Sequence, residues 1–436
     1  MSFTVKRREE DAIRNLRGWL LVYGRRKTGK TFLLRTLREA KYFIFTRSGY
    51  CLFEEDKTFS SFNAREAIRL AGSLLDKGET VILDEFQRLP DIFWEEIALH
   101  HPNGKLIACG SSLGIIKKVF DRRSPLLGLL APFKVDIIRY SDAVNASKKI
   151  CKSLRDALLW GLVIRDPWII PMVTLEEDLT AEISKKLPIF SASSSGLIGE
   201  VFEEEERSLT RVYDAVLRLV GEGLWKPSEI SGILTSNNLI SGGLSTVTGL
   251  LERLAEMGLI EKITLWKTRG ARHYYKHRSP LLSITYYIDQ KLNIAEGTYK
   301  RVDPNLILEV ISKEAQFSLG EMLAEYHEGT RSYTILPNGK GDIDIVILDQ
   351  KGKRPIIGYE VKLGEIGSNE AKKAIEAIHS YGIPRAGLVS LSSKPPMVPG
   401  AYEALGPEDL ISIAEKVSSA YFETPTSPKC GDINIH

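Results

Sequence analysis

Gly24-Arg25-Arg26-Lys27-Thr28-Gly29-Lys30-Thr31 reads as a complete phosphate-binding loop. An apolar run, Trp19-Leu20-Leu21-Val22-Tyr23, leads into it, and a helical pattern with Leu33, Leu34 and Leu37 follows. This strand–loop–helix setting separates the motif from an ordinary glycine turn with exposed charges. The glycines let the backbone N–H groups close around phosphate oxygens, beside the positive end of the following helix. Lys30 is expected to reach the β- and γ-phosphates of ATP, and the Thr31 hydroxyl to bind Mg²⁺. All eight residues, Gly24 to Thr31, are therefore expected to contact the nucleotide.

Further short apolar strands are expected at 42–46, 80–83, 105–109 and 133–138, with helical stretches between most of them. That alternation predicts a parallel sheet covered by helices, in which ligands sit at the carboxyl ends of the strands. Val81-Ile82-Leu83 runs straight into Asp84-Glu85. Asp84 is expected to hold Mg²⁺, directly or through water, and Glu85 to polarise the attacking water. The next strand ends Cys109-Gly110-Ser111-Ser112. A serine there can contact the γ-phosphate or the water, or can simply cap the following helix.

Arg7-Arg8-Glu9-Glu10, Tyr23-Gly24-Arg25-Arg26, Leu83-Asp84-Glu85-Phe86-Gln87 and Gly110-Ser111-Ser112 together resemble the archaeal AAA-type ATPases. These are relatives of the signal-transduction ATPases with numerous domains. The resemblance covers the first 140 residues closely and extends more loosely beyond. It implies that 1–144 form the ATPase core and 145–207 a helical lid over the nucleotide. Family members commonly carry Ser-Pro-Leu-Tyr-Gly-Arg after the sensor strand, whereas this chain has Ser124-Pro125-Leu126-Leu127-Gly128-Leu129. The expected arginine is missing, and neither Arg122 nor Arg123 can be assigned as its substitute. Hydrolysis is therefore expected to be slow.

From 208 the pattern changes to three helices and a hairpin, with Pro227 early in the second helix and Gly258 closing the third. Residues 208–295 resemble a winged-helix domain. The third helix is poor in base-reading side chains, Arg253 being its only basic residue. The hairpin sets Lys262, Lys267, Arg269, Arg272, Lys276 and Arg278 among Trp266, Tyr274 and Tyr275. That mixture suits phosphate contact and base stacking, so DNA is an expected partner. A charged hairpin with inward-packed aromatics, serving as an intramolecular docking surface, is the alternative.

A second constellation lies in the C-terminal third. Gly341-Asp342-Ile343-Asp344-Ile345-Val346-Ile347 reads as one strand and Ile356-Ile357-Gly358-Tyr359-Glu360-Val361-Lys362 as the next. Glu360 and Lys362 are two apart, so on a strand they share a face, where Asp344 of an antiparallel neighbour can meet them. Asp344 and Glu360 form an oxygen site suited to Mg²⁺, and Lys362 can orient or activate a hydrolytic water. Asp342 has the same parity as Asp344 and competes for its place. Glu321, on a helix upstream, is a candidate third carboxylate. The helix–strand–strand–helix–strand order resembles the PD-(D/E)XK nuclease fold, including the Holliday-junction-resolvase-like domain fused to archaeal ATPases of this type. It implies a nuclease-like domain within 296–422, and DNA cleavage is one of its two possible outcomes.

The chain is thus expected to be an α/β multidomain protein. It would combine a P-loop NTPase parallel sheet, a helical lid, a winged helix-turn-helix and a C-terminal α/β restriction-endonuclease-like domain. A Pro-, Ser- and Thr-rich tail at 423–436 is expected to be disordered. At 436 residues, several domains are required. The net charge of +3 is too small to imply nucleic acid by itself. Cys51, Cys109, Cys151 and Cys430 lack any paired spacing for zinc or redox chemistry and fit a cytoplasmic protein. No signal peptide and no membrane span are expected. Only Gln87, Gln290, Gln316 and Gln350 represent glutamine, a depletion shared with heat-adapted proteins.

Two functional readings follow. One is a slowly hydrolysing ATPase switch that controls a DNA-binding, nuclease-like domain. The other is a non-nucleolytic, nucleotide-gated scaffold or regulator that binds DNA or protein.

Overall fold

The computed structural model describes residues 3–55, 58–111, 113–205, 210–268, 272–294, 302–335 and 342–423. Ser112, Arg269, Gly341 and the tail beyond 423, all singled out in the sequence, lie outside them. Contacts divide the chain into two compact units. One holds Arg7–Ile137 and the Leu197–Ser208 stretch, the other Ile138–Gly196 and Leu209–Glu423. No helix among the described residues is long and apolar enough to cross a membrane.

The first unit runs α1 (Arg8–Asn15), β1 (Trp19–Tyr23), α2 (Lys30–Leu34), β2 (Lys41–Phe45), β3 (Tyr50–Glu55), β4 (Thr58–Asn63), α3 (Ala64–Asp76), β5 (Thr80–Asp84), α4 (Ile92–Ala98), β6 (Lys105–Gly110), α5 (Leu113–Val119) and β7 (Leu130–Lys134). The strands order as β4-β3-β2-β5-β6-β1-β7. β2, β5, β6, β1 and β7 are mutually parallel, and β3 and β4 extend the sheet as an antiparallel hairpin. Alternate residues of the central strands enter two separate cores. Leu21, Val81, Leu83, Leu106 and Ala108 join one, while Leu20, Val22, Ile82, Ile107 and Cys109 join the other. A sheet buried on both faces explains why these strands read as unbroken apolar runs. α3 begins with a capping box between Asn63 and Glu66 and buries Ala67, Ile68, Ala71 and Leu75 along one stripe. α2 is shorter than the expected helix, ending at Leu34, although Leu37 is still buried.

In the second unit come α6 (Tyr140–Ser147), α7 (Leu154–Val163), a 3₁₀ stretch at Pro167–Met172 and the first part of α8 (Leu179–Glu205). Then follow α9 (Thr210–Gly221), α10 (Pro227–Ser236), α11 (Leu244–Glu256), β8 (Ile260–Thr264), β9 (His273–His277) and α12 (Pro280–Leu292). The C-terminal elements are α13 (Pro304–Tyr326), β10 (Thr330–Ile335), β11 (Asp342–Leu348), β12 (Pro355–Lys362), α14 (Ser368–Ser380), β13 (Ala386–Ser390), β14 (Glu403–Leu405) and α15 (Pro407–Glu423). β10 to β14 form one sheet in sequence order, antiparallel as far as β12 and parallel beyond it.

Residues expected to form a separate lid share their core with the C-terminal elements. Leu158, Trp160, Leu162 and Phe190 belong to the same cluster as Leu319, Leu323, Leu410 and Ala414. The contact division cuts near the expected boundaries at 144 and 207, after Ile137 and after Ser208, adds a cut after Gly196 and places none at 295. The helices after β7 are apolar on more than one face, α7 being buried continuously from Ala157 to Val163, so they need a partner on each side.

The hairpin β8–β9 is likewise bound into this unit. The Trp266 N–H donates to the Tyr333 carbonyl at 3.0 Å, and the Ser332 and Thr334 hydroxyls donate to the Thr264 and Trp266 carbonyls at 2.7 and 2.8 Å. The edge strand β10 is thereby extended by the segment following β8.

Beneath this joint lies a network of three arginines and two glutamates. Glu321 accepts from Arg165 at 2.7 Å and lies 3.5 Å from Arg278. Glu261 accepts from Arg278 at 2.8 Å and also from Arg331. Burial alone would raise the Glu261 carboxyl, but Arg331, Arg278 and Lys276 outweigh it and hold the group at about 2. Arg165 is only 3% exposed and also donates to the Ile138 carbonyl and the Ser318 hydroxyl.

Removing one partner of such a network leaves the other charge buried. Arg165→Leu is expected to destabilise the second unit by about 3–5 kcal/mol, read by urea unfolding, and an unchanged midpoint would refute this role. Burial holds His277 neutral in the fold, with its pKa lowered to about 3. An unfolded histidine takes up a proton below about 6.5, so stability present above that pH is lost as pH falls toward 3. Wild type should lose about 1.4 kcal/mol more than His277→Gln per pH unit across pH 6 to 5, and parallel profiles would contradict the assignment.

Candidate functional site

The phosphate-loop residues sit between β1 and α2. Gly24 has φ 150°, and a Cβ there would lie 2.0 Å from the Val135 carbonyl oxygen, so the close approach of the chain after β7 demands glycine. Gly29, at φ 86°, turns the loop into α2 in a conformation that L residues resist. Thr28 is fully buried, its hydroxyl donating to the Arg25 carbonyl at 2.9 Å. Arg7 braces the loop from outside the motif, donating to the Thr28 carbonyl at 2.7 Å and to the Asp136 carbonyl at 2.8 Å. Arg26 pairs with Glu200 at 2.7 Å, while Lys27 adopts a positive φ of 62°.

Lys30 is 7% exposed and donates to the Gly24 and Arg25 carbonyls at 2.7 and 2.9 Å. Burial lowers its pKa, with Cys109, Asp84 and Glu85 opposing the shift. A triphosphate would supply the negative charge that this buried ammonium lacks.

β5 delivers its acidic pair beside the loop. The Thr31 hydroxyl donates to Asp84 Oδ2 at 2.8 Å, bringing together the two residues expected to hold Mg²⁺. Asp84 is 3% exposed, and its other oxygen accepts the Glu85 N–H at 2.9 Å. A buried carboxylate next to a threonine hydroxyl is a donor set that fits a hard divalent cation. Tyr42 also donates to Asp84 Oδ2, at 2.6 Å. No sequence motif marked this tyrosine, because only the parallel pairing of β2 with β5 brings it there.

Glu85 stands in left-handed backbone geometry, φ 57° and ψ 38°, which aims it away from the strand. Its carboxylate pairs with Arg88 at 2.8 Å and accepts from Gln87 Nε2 at the same distance. Gln87 Nε2 also lies 3.3 Å from the Ser111 hydroxyl. Ser111, the candidate reporter, is thereby linked to Glu85 through one side chain.

The second constellation lines a cleft of about 810 Å³ that includes Asp342, Asp344, Glu360 and Glu370. Antiparallel pairing of Ile345 with Tyr359 sets Asp344 and Glu360 on facing positions of β11 and β12. Asp344 accepts the Val361 N–H at 2.7 Å and Gln316 Nε2 at 2.8 Å. Burial, together with Glu360, pushes its carboxyl up to about 7. Burial likewise raises Glu360, against the pull of Lys362. Lys362 bridges Glu360 at 3.2 Å and Glu370 at 3.4 Å. Burial would lower the lysine, but both glutamates outweigh it, so it stays a cation suited to orienting water. Asp342 accepts from the Tyr333 hydroxyl at 3.2 Å and lines the same cleft as Asp344.

Glu321 does not join this group. Five residues along α13 from Gln316 it faces a different side, where Arg165 and Arg278 hold it ionised. Gln316 stands beside Asp344 in its place. Among the described residues, no cluster of three or more carboxylate, histidine or cysteine side chains is disposed to hold a metal ion. Asp344 and Glu360 still fit a divalent cation as a partial oxygen set, since two crowded carboxyls gain by sharing one.

The hairpin's basic residues are largely engaged within the chain. Lys262 pairs with Glu252, buried Lys276 with Glu314 at 2.9 Å, and Arg278 with Glu261. Lys267 lies over the Trp266 ring and donates to the Tyr381 carbonyl at 3.2 Å. Tyr274 packs on Trp225, Phe317 and Tyr333. These contacts turn Tyr274 toward β10 and α13, as in the docking-surface alternative, and set it on the rim of the carboxylate cleft.

Residues 16–126 match a family model described as an AAA domain. No curated protein matches the chain. Among solved structures, one similar to it is the Aeropyrum pernix ORC2 protein in ADPNP–ADP complexes, with a TM-score of 0.38 and 11% identity, covering 71% of this chain and 94% of that one. Another is the A. pernix ORC1 protein in complex with DNA, with a TM-score of 0.27 and 13% identity, covering 68% of this chain and 95% of that one. A third is Cdc6p from Pyrobaculum aerophilum, with a TM-score of 0.24 and 12% identity, covering 72% of this chain and 96% of that one. The chain is thus an α/β protein with a parallel-rich sheet, in which residues 16–126 match an AAA domain model.

Proposed function

We propose that the chain is an ATP-binding, slowly hydrolysing switch whose nucleotide state controls a DNA-binding, nuclease-like region formed by its C-terminal elements. The observation that carries the first half is the meeting of Lys30, Thr31, Asp84 and Glu85 around one loop. Lys30 leaves its two carbonyl partners for the β- and γ-phosphate oxygens. Thr31 and Asp84 are the residues that would hold Mg²⁺, which when bound neutralises charge on the phosphates. Glu85 orients the attacking water and accepts its proton once its carboxylate is released from Arg88 and Gln87. Slow turnover follows from Leu129 standing where an arginine is expected and from Glu85 being tied down at rest.

The second half rests on Asp344 and Glu360 lining one cleft, with Lys362 paired to Glu360 beside it. Asp344 and Glu360 would hold a divalent cation, which supplies charge neutralisation at a phosphodiester. Lys362 orients the water. DNA contact is then a property of this cleft. A second reading, a non-nucleolytic regulator binding DNA or protein, is favoured by Gln316 standing where a third carboxylate was sought. The cytoplasm is the compartment we assign, on the strength of its unpaired cysteines.

Purified protein assayed for ATPase and for cleavage of linear, nicked and branched DNA tests these halves separately. Lys30→Ala should abolish hydrolysis. Glu85→Gln should lower kcat by about 10²–10⁴-fold while ATP still binds, and an unchanged kcat would remove Glu85 from its role. Tyr42→Phe should slow hydrolysis about tenfold, the size of one hydrogen bond to a carboxylate; wild-type rates would show that Asp84 needs no such restraint. Lys362→Ala should abolish DNA cleavage with ATPase activity intact, whereas no cleavage by wild type on any substrate would leave only the regulator.

A further inference from the structure

The cleft holding Asp344 and Glu360 is also lined by residues far away in sequence. Trp225, between α9 and α10, and Tyr274 of β9 stack at 5.2 Å between centroids with an interplanar angle of 19°. Tyr333 of β10 meets Tyr274 edge-on at 5.4 Å, continuing the same wall. Lys313 of α13 and Lys373 of α14 also line the cleft, are exposed, and have no ion-pair partner among the described residues. An aromatic wall, two ammonium groups and the carboxylates of Asp342, Asp344, Glu360 and Glu370 thus line one open cleft.

Size decides what can enter. About 810 Å³ falls within the range of pockets that take small organic ligands, roughly 300–1,000 Å³. A single unpaired nucleotide is a ligand of that order of size. In a duplex the bases stack on one another and offer no free face to an aromatic wall, whereas an unpaired nucleotide does. Its base finds the apolar wall, and its phosphates find the two lysines.

We propose that this cleft admits an unpaired nucleotide of a nucleic-acid strand, its base against Trp225 and Tyr274 and its flanking phosphates at Lys313 and Lys373. The inference rests on the nuclease-like reading and narrows its substrate to single strands, flaps or frayed ends. The hairpin and the loop before α10 act as a selectivity wall, while Asp344 and Glu360 would hold a divalent cation that neutralises charge at the phosphodiester.

The test uses the full-length chain and a 12-nucleotide single strand with one 2-aminopurine, alone or annealed to its complement, in Mg²⁺ buffer. Binding is read by anisotropy, base burial by 2-aminopurine quenching, and cleavage of flapped and blunt DNA in parallel. The single strand should bind at least tenfold more tightly than the duplex, with quenching. Trp225→Ala should weaken single-strand binding about tenfold and remove the quenching. Because Trp225 also packs on Tyr274, the exposed Lys373→Glu provides a second variant that keeps the core, and it should weaken binding to a similar degree. Equal affinity for strand and duplex, no detectable binding of either, or wild-type binding by both variants would overturn the proposal. If both variants bind and cleave normally while Lys362→Ala does not cleave, the wall inference alone fails. If the single strand binds through Trp225 but wild type cleaves nothing, the nuclease reading fails and the site remains.

Discussion

The ionic network joining Arg165, Glu321, Arg278, Glu261 and Arg331 is the constraint around which the second unit is organised. Its members come from the segment after α7, from α13, from the hairpin and from β10, so four regions of sequence are joined at one place. Ionised groups at low exposure are costly to desolvate, and only mutual pairing offsets that cost. The hairpin pairs its own Glu261 with Arg278, but Arg165, Glu321 and Arg331 find partners only in other regions, and Glu261 without Arg331 and Arg278 would be pushed toward neutrality by burial. Lys276 with Glu314 and Ser279 with Asp166 repeat the pattern beside it.

That network explains how the hairpin is used. A pairing of the segment after β8 with β10 places Tyr274 against Phe317 and Tyr333, and so beside the cleft. Of the hairpin residues that suggest a nucleic-acid surface in isolation, Tyr274 lines the carboxylate cleft, while Lys262, Lys276 and Arg278 are paired within the chain. In the first unit the organising contact is smaller: Thr31 to Asp84, with Tyr42 on the same carboxylate oxygen. Glu85 is restrained by Arg88 and Gln87, so the acidic pair that ends β5 is divided between a fixed member and one held by replaceable partners.

Local pattern made much of the first unit legible. Tyr42, Val81-Ile82-Leu83 and Ile107 lie in strands where apolar runs were read, with boundaries moved by a residue or a few. The hairpin of β3 and β4 escaped because Phe59-Ser60-Ser61-Phe62 is an exposed edge with no apolar face to announce it. In the C-terminal site, period-2 geometry placed Glu360 and Lys362 on one face correctly. Glu321 was misjudged because a helix of 23 residues offers carboxylates on several faces, and only the positions of Arg165 and Arg278 decide which face is which.

The sequence by itself determined the phosphate loop, the acidic end of β5 and the strand pair carrying Asp344 and Glu360. Each depends on residues close in the chain, where backbone geometry and side-chain period act directly. Tertiary structure alone decided that Tyr42 restrains Asp84, that Gln316 replaces Glu321 beside Asp344, and that the hairpin faces inward. Those outcomes depend on which distant groups neutralise a buried charge or cover an apolar ring, a choice settled only when all the partners are packed together.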